Sequence, residues 1–186
     1  MLMSDNKRRK NSSKFEKGSR AHSYTQSKHK GRSQSSHGSY SRSRKKKFTN
    51  KISDHFSKHD FSCKETGKLR VSLGLVGVLE ALRGITQKRI TIVKGYECPD
   101  VAEAKGQLKR NFHTQGLAAD IKILTMSSVD VFKEAEKLAS ITGLGLNIKD
   151  DYVHIDTRKA DRVLWVEQDN EEIPLTDENR KLYLGE

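Results

Sequence analysis

The sequence predicts an α+β domain behind a basic, unstructured tail. Three observations carry that prediction: an abrupt change of composition near residue 47, two stretches with apolar residues at three- and four-residue spacings, and short β-branched or alternating runs that follow one another directly. The averages conceal this division, since the 186 residues carry a net charge of +12 with 33% hydrophobic and 6% aromatic residues. Residues 1–50 hold 15 of the 36 Lys and Arg but 2 of the 24 Asp and Glu, leaving 21 basic and 22 acidic residues for the remainder. The charge belongs to the tail and says little about the domain.

Residues 1–47 are built from Ser, Lys, Arg, His and Gly with almost no aliphatic side chains. Such a segment cannot bury enough apolar surface to offset its chain entropy, so it is predicted to be disordered. It has no apolar run and reads as neither a secretory signal nor a membrane span. Its chemistry suits an arm for a polyanion, whether nucleic acid, an anionic wall polymer or a membrane surface, and equally a solubilising tail; composition leaves both open. The rest is read as one domain over 48–168 and a polar C-terminal extension over 169–186.

Within the domain, "GKLRVSLGLVGVLEALRGI" places Val71, Leu75, Val78, Leu79 and Leu82 on one helical face, with Gly84 where the helix would end. "KRITIVKGYECPD" reads as a strand leaving into a long polar loop from Gly95 to Phe112. "GLAADIKIL" is a short strand entered at Gly116, and "SSVDVFKEAEKLASITG" a second amphipathic helix, capped by Ser127 or Ser128 and closed by Gly143. "LGLNI", "YVHID" and "RVLWV" follow as strands, and strands in direct succession imply an antiparallel sheet.

The polar residues inside these runs are the candidates for chemistry. His113 and Asp120 are separated by seven residues, so they can share a ligand if the chain folds back at Gly116. His154 and Asp156 fall on one face of their strand by period-two alternation, with Asp151 at the strand entrance. His113, Asp120 and His154 make two imidazoles and a carboxylate, a set suited to zinc with a fourth position left for water. A zinc-bound water has a pKa near ~7, and Asp151, with Asp150 as the weaker rival, is the candidate to take its proton. Each of these residues taken singly has an ordinary structural explanation.

"HTQGLAAD" and, some thirty residues later, "DYVHIDTR" resemble the H-x-x-G-x-A-x-D and D-x-x-H-x-D signature of the zinc D-Ala-D-Ala carboxypeptidase family, peptidoglycan metallopeptidases that share the Hedgehog/DD-peptidase fold. The likeness extends over about residues 51–166, through "ISDHFSKHDFSC", "LGLVGVLEALR", "ITIVKGYECPD" and the Gly143/Gly145 pair. It implies an antiparallel sheet with flanking helices, Zn2+ held by His113, Asp120 and His154, Asp151 as the catalytic carboxylate, and a supporting hydrogen bond from Asp156. Tyr96 and Tyr152 flank the implied site. His55 and His59 match a packing element, and Trp165 is read as core before cleft.

The sequence also departs from the family pattern. Where members commonly read S-G-Y-R-C this chain has "KGYEC", so Glu97 replaces an arginine implied to pair with the substrate's terminal carboxylate, and Asn111 stands where serine is usual. An acid at that place would repel a carboxylate, leaving Lys94, Lys109 or Arg110 as the substrate anchors. Cys63 and Cys98 lie in elements that often pair in similar proteins; a disulfide and two reduced thiols both remain open. The function this implies is zinc-dependent hydrolysis of an amide bond in peptidoglycan-type, D-Ala-containing peptides, by a carboxypeptidase or a related endopeptidase. The alternative is a non-catalytic zinc-stabilised binding module whose tail binds a polyanion. With no signal legible, such an enzyme would stay cytoplasmic or reach the wall by lysis or an unconventional route.

Overall fold

The computed structural model describes residues 50–169 and 171–185; the tail predicted over 1–47 lies outside them. The chain runs α1 (Lys58–Phe61), α2 (Leu73–Thr86), β1 (Ile90–Lys94), α3 (Pro99–Ala104), β2 (Ala118–Ile123), α4 (Ser128–Glu136), β3 (Gly143–Asn147), β4 (Tyr152–Asp156), β5 (Val163–Gln168), β6 (Glu171–Pro174) and α5 (Asp177–Leu184). This is the α+β class read from the sequence.

The helices begin where their capping residues stand and end later or earlier than their glycines suggest. Ser72 accepts a hydrogen bond from Gly74 N at the start of α2, and Leu75, Val78, Leu79 and Leu82 are buried as the spacing requires. Gly84 stays helical; the helix closes at Gln87, whose left-handed backbone (φ 54°) lets its N–H reach Arg83 O. Ser127 caps α4 by accepting from Asp130 N, while Gly143, predicted to end that helix, instead opens β3. The predicted long loop after β1 contains α3, a single short helix with Pro99 in its first turn, too brief to display a helical period.

The strands form one sheet in the order β1-β2-β4-β3-β5-β6. Its pairings are antiparallel except β3 with β5, which run parallel. One face carries Ile121, Leu144, Leu146, Val153, Ile155 and Val166 into a core shared with α2 and α4. On the other face the register aligns Lys94, Asp120, His154, Gly145 and Trp165 in a single row across five strands. Two glycines of β3 make that row possible. A β-carbon at Gly145 would collide with the Trp165 indole, and one at Gly143 with the Asp156 carboxylate, so their missing side chains are spaces that the neighbours fill.

The residues read as a polar C-terminal extension are a strand and a helix of this domain. β6 pairs with β5, Leu184 of α5 is buried in the core, and Arg180 holds Glu136 of α4 through paired contacts of 2.9 and 2.7 Å. Among the described residues no helix is long and apolar enough to cross a membrane.

Two stability predictions follow from this packing. Gly145→Ala should lower the unfolding free energy by about 1–3 kcal/mol in urea titration, through displacement of the indole, whereas Gly77→Ala, on α2 with open space around it, should raise it by up to about 1 kcal/mol. Arg180→Met should cost roughly 1 kcal/mol at neutral pH. The Arg180 guanidinium holds the Glu136 carboxyl below its ordinary value, so this stabilisation is present above that value and is lost as pH falls through the lowered one. Urea curves of the two proteins should therefore separate at pH 7 and converge in acid.

Candidate metal centre and its cleft

Asp120 and His154 are direct cross-strand partners on β2 and β4, and His113 reaches them from the turn that precedes β2. That turn is tied by Asn111. Its side chain accepts from Thr114 N at 2.9 Å, and its N–H donates to Thr114 Oγ1 at 2.9 Å. Gly116, with φ 70°, then redirects the chain into the strand, the fold-back that the spacing of His113 and Asp120 demands.

The donor atoms converge. His113 Nε2 lies 3.3 Å from both His154 Nδ1 and Asp120 Oδ1, and His154 Nδ1 lies 2.8 Å from Asp120 Oδ1. Tetrahedral zinc with ligands at about 2.0–2.1 Å has ligand-to-ligand edges of roughly 3.3 Å, so this triangle has the dimensions of three corners of a zinc site. The outer nitrogens fix the tautomers. Gly95 O sits 2.8 Å from His113 Nδ1 and can only accept, which puts the proton on Nδ1 and leaves the Nε2 lone pair directed inward. Asp156 Oδ2 is 3.4 Å from His154 Nε2 and does the same for the second ring. Among the described residues this is the group of three or more that could hold a metal ion.

Charge in the metal-free arrangement is balanced by protons. Burial pushes Asp120 up, but its contacts with the His113 and His154 rings outweigh it and hold the carboxyl well below its usual range. Burial pushes His154 down, and Asp120 and Asp156 outweigh that, raising it to about 9. A metal ion entering here takes the place of a proton. Asp156 is fully buried and held at about 2, since Arg158 overcomes its burial; the Arg158 guanidinium grips both of its oxygens and stacks over Phe112 at 4.1 Å.

The group opens into a cleft of about 980 Å³. Trp165 forms one side, its ring 5.3 Å from that of His154, so it is both largely buried and a cleft residue. Tyr152 stands beside it and donates to Glu167 Oε2 at 3.2 Å. Glu167 and Glu172, cross-strand partners on β5 and β6, line the same wall; the sequence reading missed them, and only strand register brings them to the cleft. Lys94, on β1 at the other end of the strand row, and Arg110, from the loop before His113, also line the cleft. Tyr96 lies next to Lys94 in an adjoining pocket that also touches Asp120 and Tyr152.

Two sequence expectations look different in three dimensions. Asp151 is not among the cleft-lining residues. It lies in the turn before β4 with a left-handed backbone (φ 51°), and its Oδ1 accepts from Ser128 N at 3.0 Å at the start of α4. Asp150 is exposed in the same turn, its N–H bonded to Asn147 Oδ1. Glu97 is buried at 3% exposure: its Oε1 accepts from Lys105 at 2.9 Å, and its Oε2 forms an ion pair of 3.0 Å with Lys94 without a directed hydrogen bond. Burial raises the Glu97 carboxyl and the two lysines more than reverse it. The acid therefore faces its own lysines. Cys63 and Cys98 are buried free thiols, the first donating to Glu65 and the second 2.9 Å from Thr66 Oγ1. His55 is engaged by Glu80, away from the centre.

Asp156→Asn should weaken zinc binding about 10- to 100-fold by releasing the His154 ring, measured by competition with a chromophoric chelator. An unchanged affinity would mean that Asp156 serves packing alone.

Comparison with known proteins places these features. The model of the family described as Peptidase M15 matches residues 48–156. The curated relatives include the peptidoglycan L,D-endopeptidase MepK of Escherichia coli strain K12 and that of Shigella flexneri, each 29% identical over 110 residues. The match covers 55% of this chain and 60% of each relative, so the chain spans about 60% of their length. The matched residues contain His113, Asp120 and His154, and over more than half of its length the chain belongs to the peptidase M15 family.

Proposed function

We propose that this protein is a zinc-dependent peptidase that hydrolyses an amide bond in peptidoglycan-type peptides. The observation that carries the reading is the triangle of His113 Nε2, Asp120 Oδ1 and His154 Nδ1, with edges of 2.8–3.3 Å and with both histidines prepared by their outer hydrogen bonds. The endopeptidase relatives favour cutting within a peptide. Zinc, when bound, polarises the scissile carbonyl and acidifies a water molecule.

The chain's own residues do the remainder. His113, Asp120 and His154 hold the ion; Asp156, fixed by Arg158, keeps the His154 ring in its ligating tautomer. Trp165 and Phe112 give the cleft apolar surface beside the metal-binding group. The proton carrier assigned by the D-x-x-H motif is Asp151, which must leave Ser128 N to enter the cleft. The basic segment 1–47 has the charge to hold the enzyme on an anionic polymer.

The engagement of Asp151 at the start of α4 favours one rival, a metal-stabilised binding module without hydrolytic activity. Purified protein should contain about one zinc per chain and lose it in His113→Ala and His154→Ala. Zinc-loaded protein should release fragments from peptidoglycan digests, and Asp151→Asn should abolish that release with zinc retained. Retained zinc with no hydrolysis in the parent chain would leave the binding module; hydrolysis that survives Asp151→Asn would move the proton-transfer role to another carboxylate, Glu167 first.

A further inference from the structure

The two lysines around Glu97 are not equivalent, and the difference originates in the backbone of β1. Ile90 and Ile92 pair with Ile123 and Ile121 and face the core. Strict alternation would put Lys94 on that same apolar face. The register slips between Ile92 and Lys94, leaving Val93 without a partner in the pairing, and Lys94 instead pairs with Asp120 on the cleft face. A bulge re-aims the side chains that follow it, and here it delivers a cation to the end of the row that holds the metal-binding group.

Glu97 then fixes that cation. A carboxylate at 3% exposure is costly unless paired, and Lys105 already supplies a directed hydrogen bond to Oε1. Lys94, 29% exposed, adds an ion pair at Oε2 and donates to Gln107 Oε1 at 3.2 Å. An ammonium has three N–H donors, so the contacts leave Lys94 with capacity for a ligand while its position is held from behind. Arg110 lines the same cleft and makes no hydrogen bond or ion pair within the described residues. The carboxylates Glu167 and Glu172 are on the other wall. Lys105 is paired with Glu65 as well, so Lys94, Lys105 and Arg110 exceed Glu65 and Glu97 by one positive charge at the Lys94 end, while Glu167 and Glu172 make the β5–β6 end anionic.

We propose that Lys94, positioned by the β1 bulge and by Glu97, reads a free carboxylate on the peptide next to the bond to be cut, with Arg110 as a second, looser contact. The inference rests on the peptidase reading above and narrows its substrate class to peptides that are anionic beside the scissile bond. Glu97 is a positioning residue: it acts through Lys94 and does not touch the substrate. The substitution that seemed to repel a substrate carboxylate thus helps to bind one.

The test uses two synthetic peptidoglycan stem peptides that differ only in carrying free carboxylates or carboxamides, with the zinc-loaded full chain. The parent protein should favour the carboxylate peptide by about tenfold or more in kcat/KM, chiefly through KM. Lys94→Gln should bring that ratio towards one, Lys94→Arg should keep most of it, and Arg110→Gln should reduce it a few-fold. Glu97→Gln should lower the ratio and be partly rescued by Glu97→Asp, a pattern that general loosening of the fold would not give. Thermal unfolding identifies any variant that fails to fold, in which case the Lys94→Arg and Arg110→Gln comparisons stand. Should neither peptide be cut, calorimetric binding of the same pair supplies the ratio, so loss of the hydrolytic reading is distinguishable from loss of this one. No preference in the parent chain, or a preference untouched by Lys94→Gln, overturns the proposal.

Discussion

A carboxylate buried between two imidazoles is the constraint on which the cleft face depends. Asp120 is 7% exposed, and an ionised carboxyl in that position is untenable without positive charge in contact with it. A proton on His154 provides it in the absence of metal, and a divalent ion would provide it more completely. Everything around Asp120 serves to keep the two rings there. The β2–β4 register sets His154 opposite, the Asn111–Gly116 turn brings His113 over, Gly95 O and Asp156 hold the far nitrogens, and Arg158 keeps Asp156 charged.

The space for this machinery comes from residues that contribute no side chain. Gly143 and Gly145 occupy the strand beside β4, where ordinary residues would fill the places now taken by the Asp156 carboxylate and the Trp165 ring. A strand of alternating glycine and leucine is thereby smooth on one face and apolar on the other. Leu144 and Leu146 anchor it to α4 while its glycines make a floor. Core packing and site construction are the two faces of one short segment.

Much of this was legible in the sequence because it rests on periodicity. The apolar spacing of α2 and α4, the alternation that puts His154 and Asp156 on one face, and the paired motif containing His113 and Asp120 all survive in three dimensions. What was not legible depends on partners distant in the chain. The parallel pairing of β3 with β5, which carries Trp165 to His154 and Glu167 towards Tyr152, has no local signal, and neither does a bulge that reverses Lys94. α3 and α5 are short or polar, so they lack the apolar stripe by which helices are recognised. The direction of Asp151 is set by a left-handed turn ahead of β4 and by its bond to Ser128 N, neither of which the motif announces.

The match to the M15 family model ends at residue 156, the last residue of β4, whereas Trp165, Glu167 and Glu172 follow in β5 and β6. The His113, Asp120 and His154 group and the Glu167/Glu172 wall of the cleft therefore come from consecutive stretches of chain that share one sheet and one core. Substitutions in the later stretch can redraw what is admitted without altering the β2–β4 register that places the ligands. In a scaffold of this kind, the exposed positions of β5 and β6 can vary singly while Trp165 and Val166 keep the floor and the core in place.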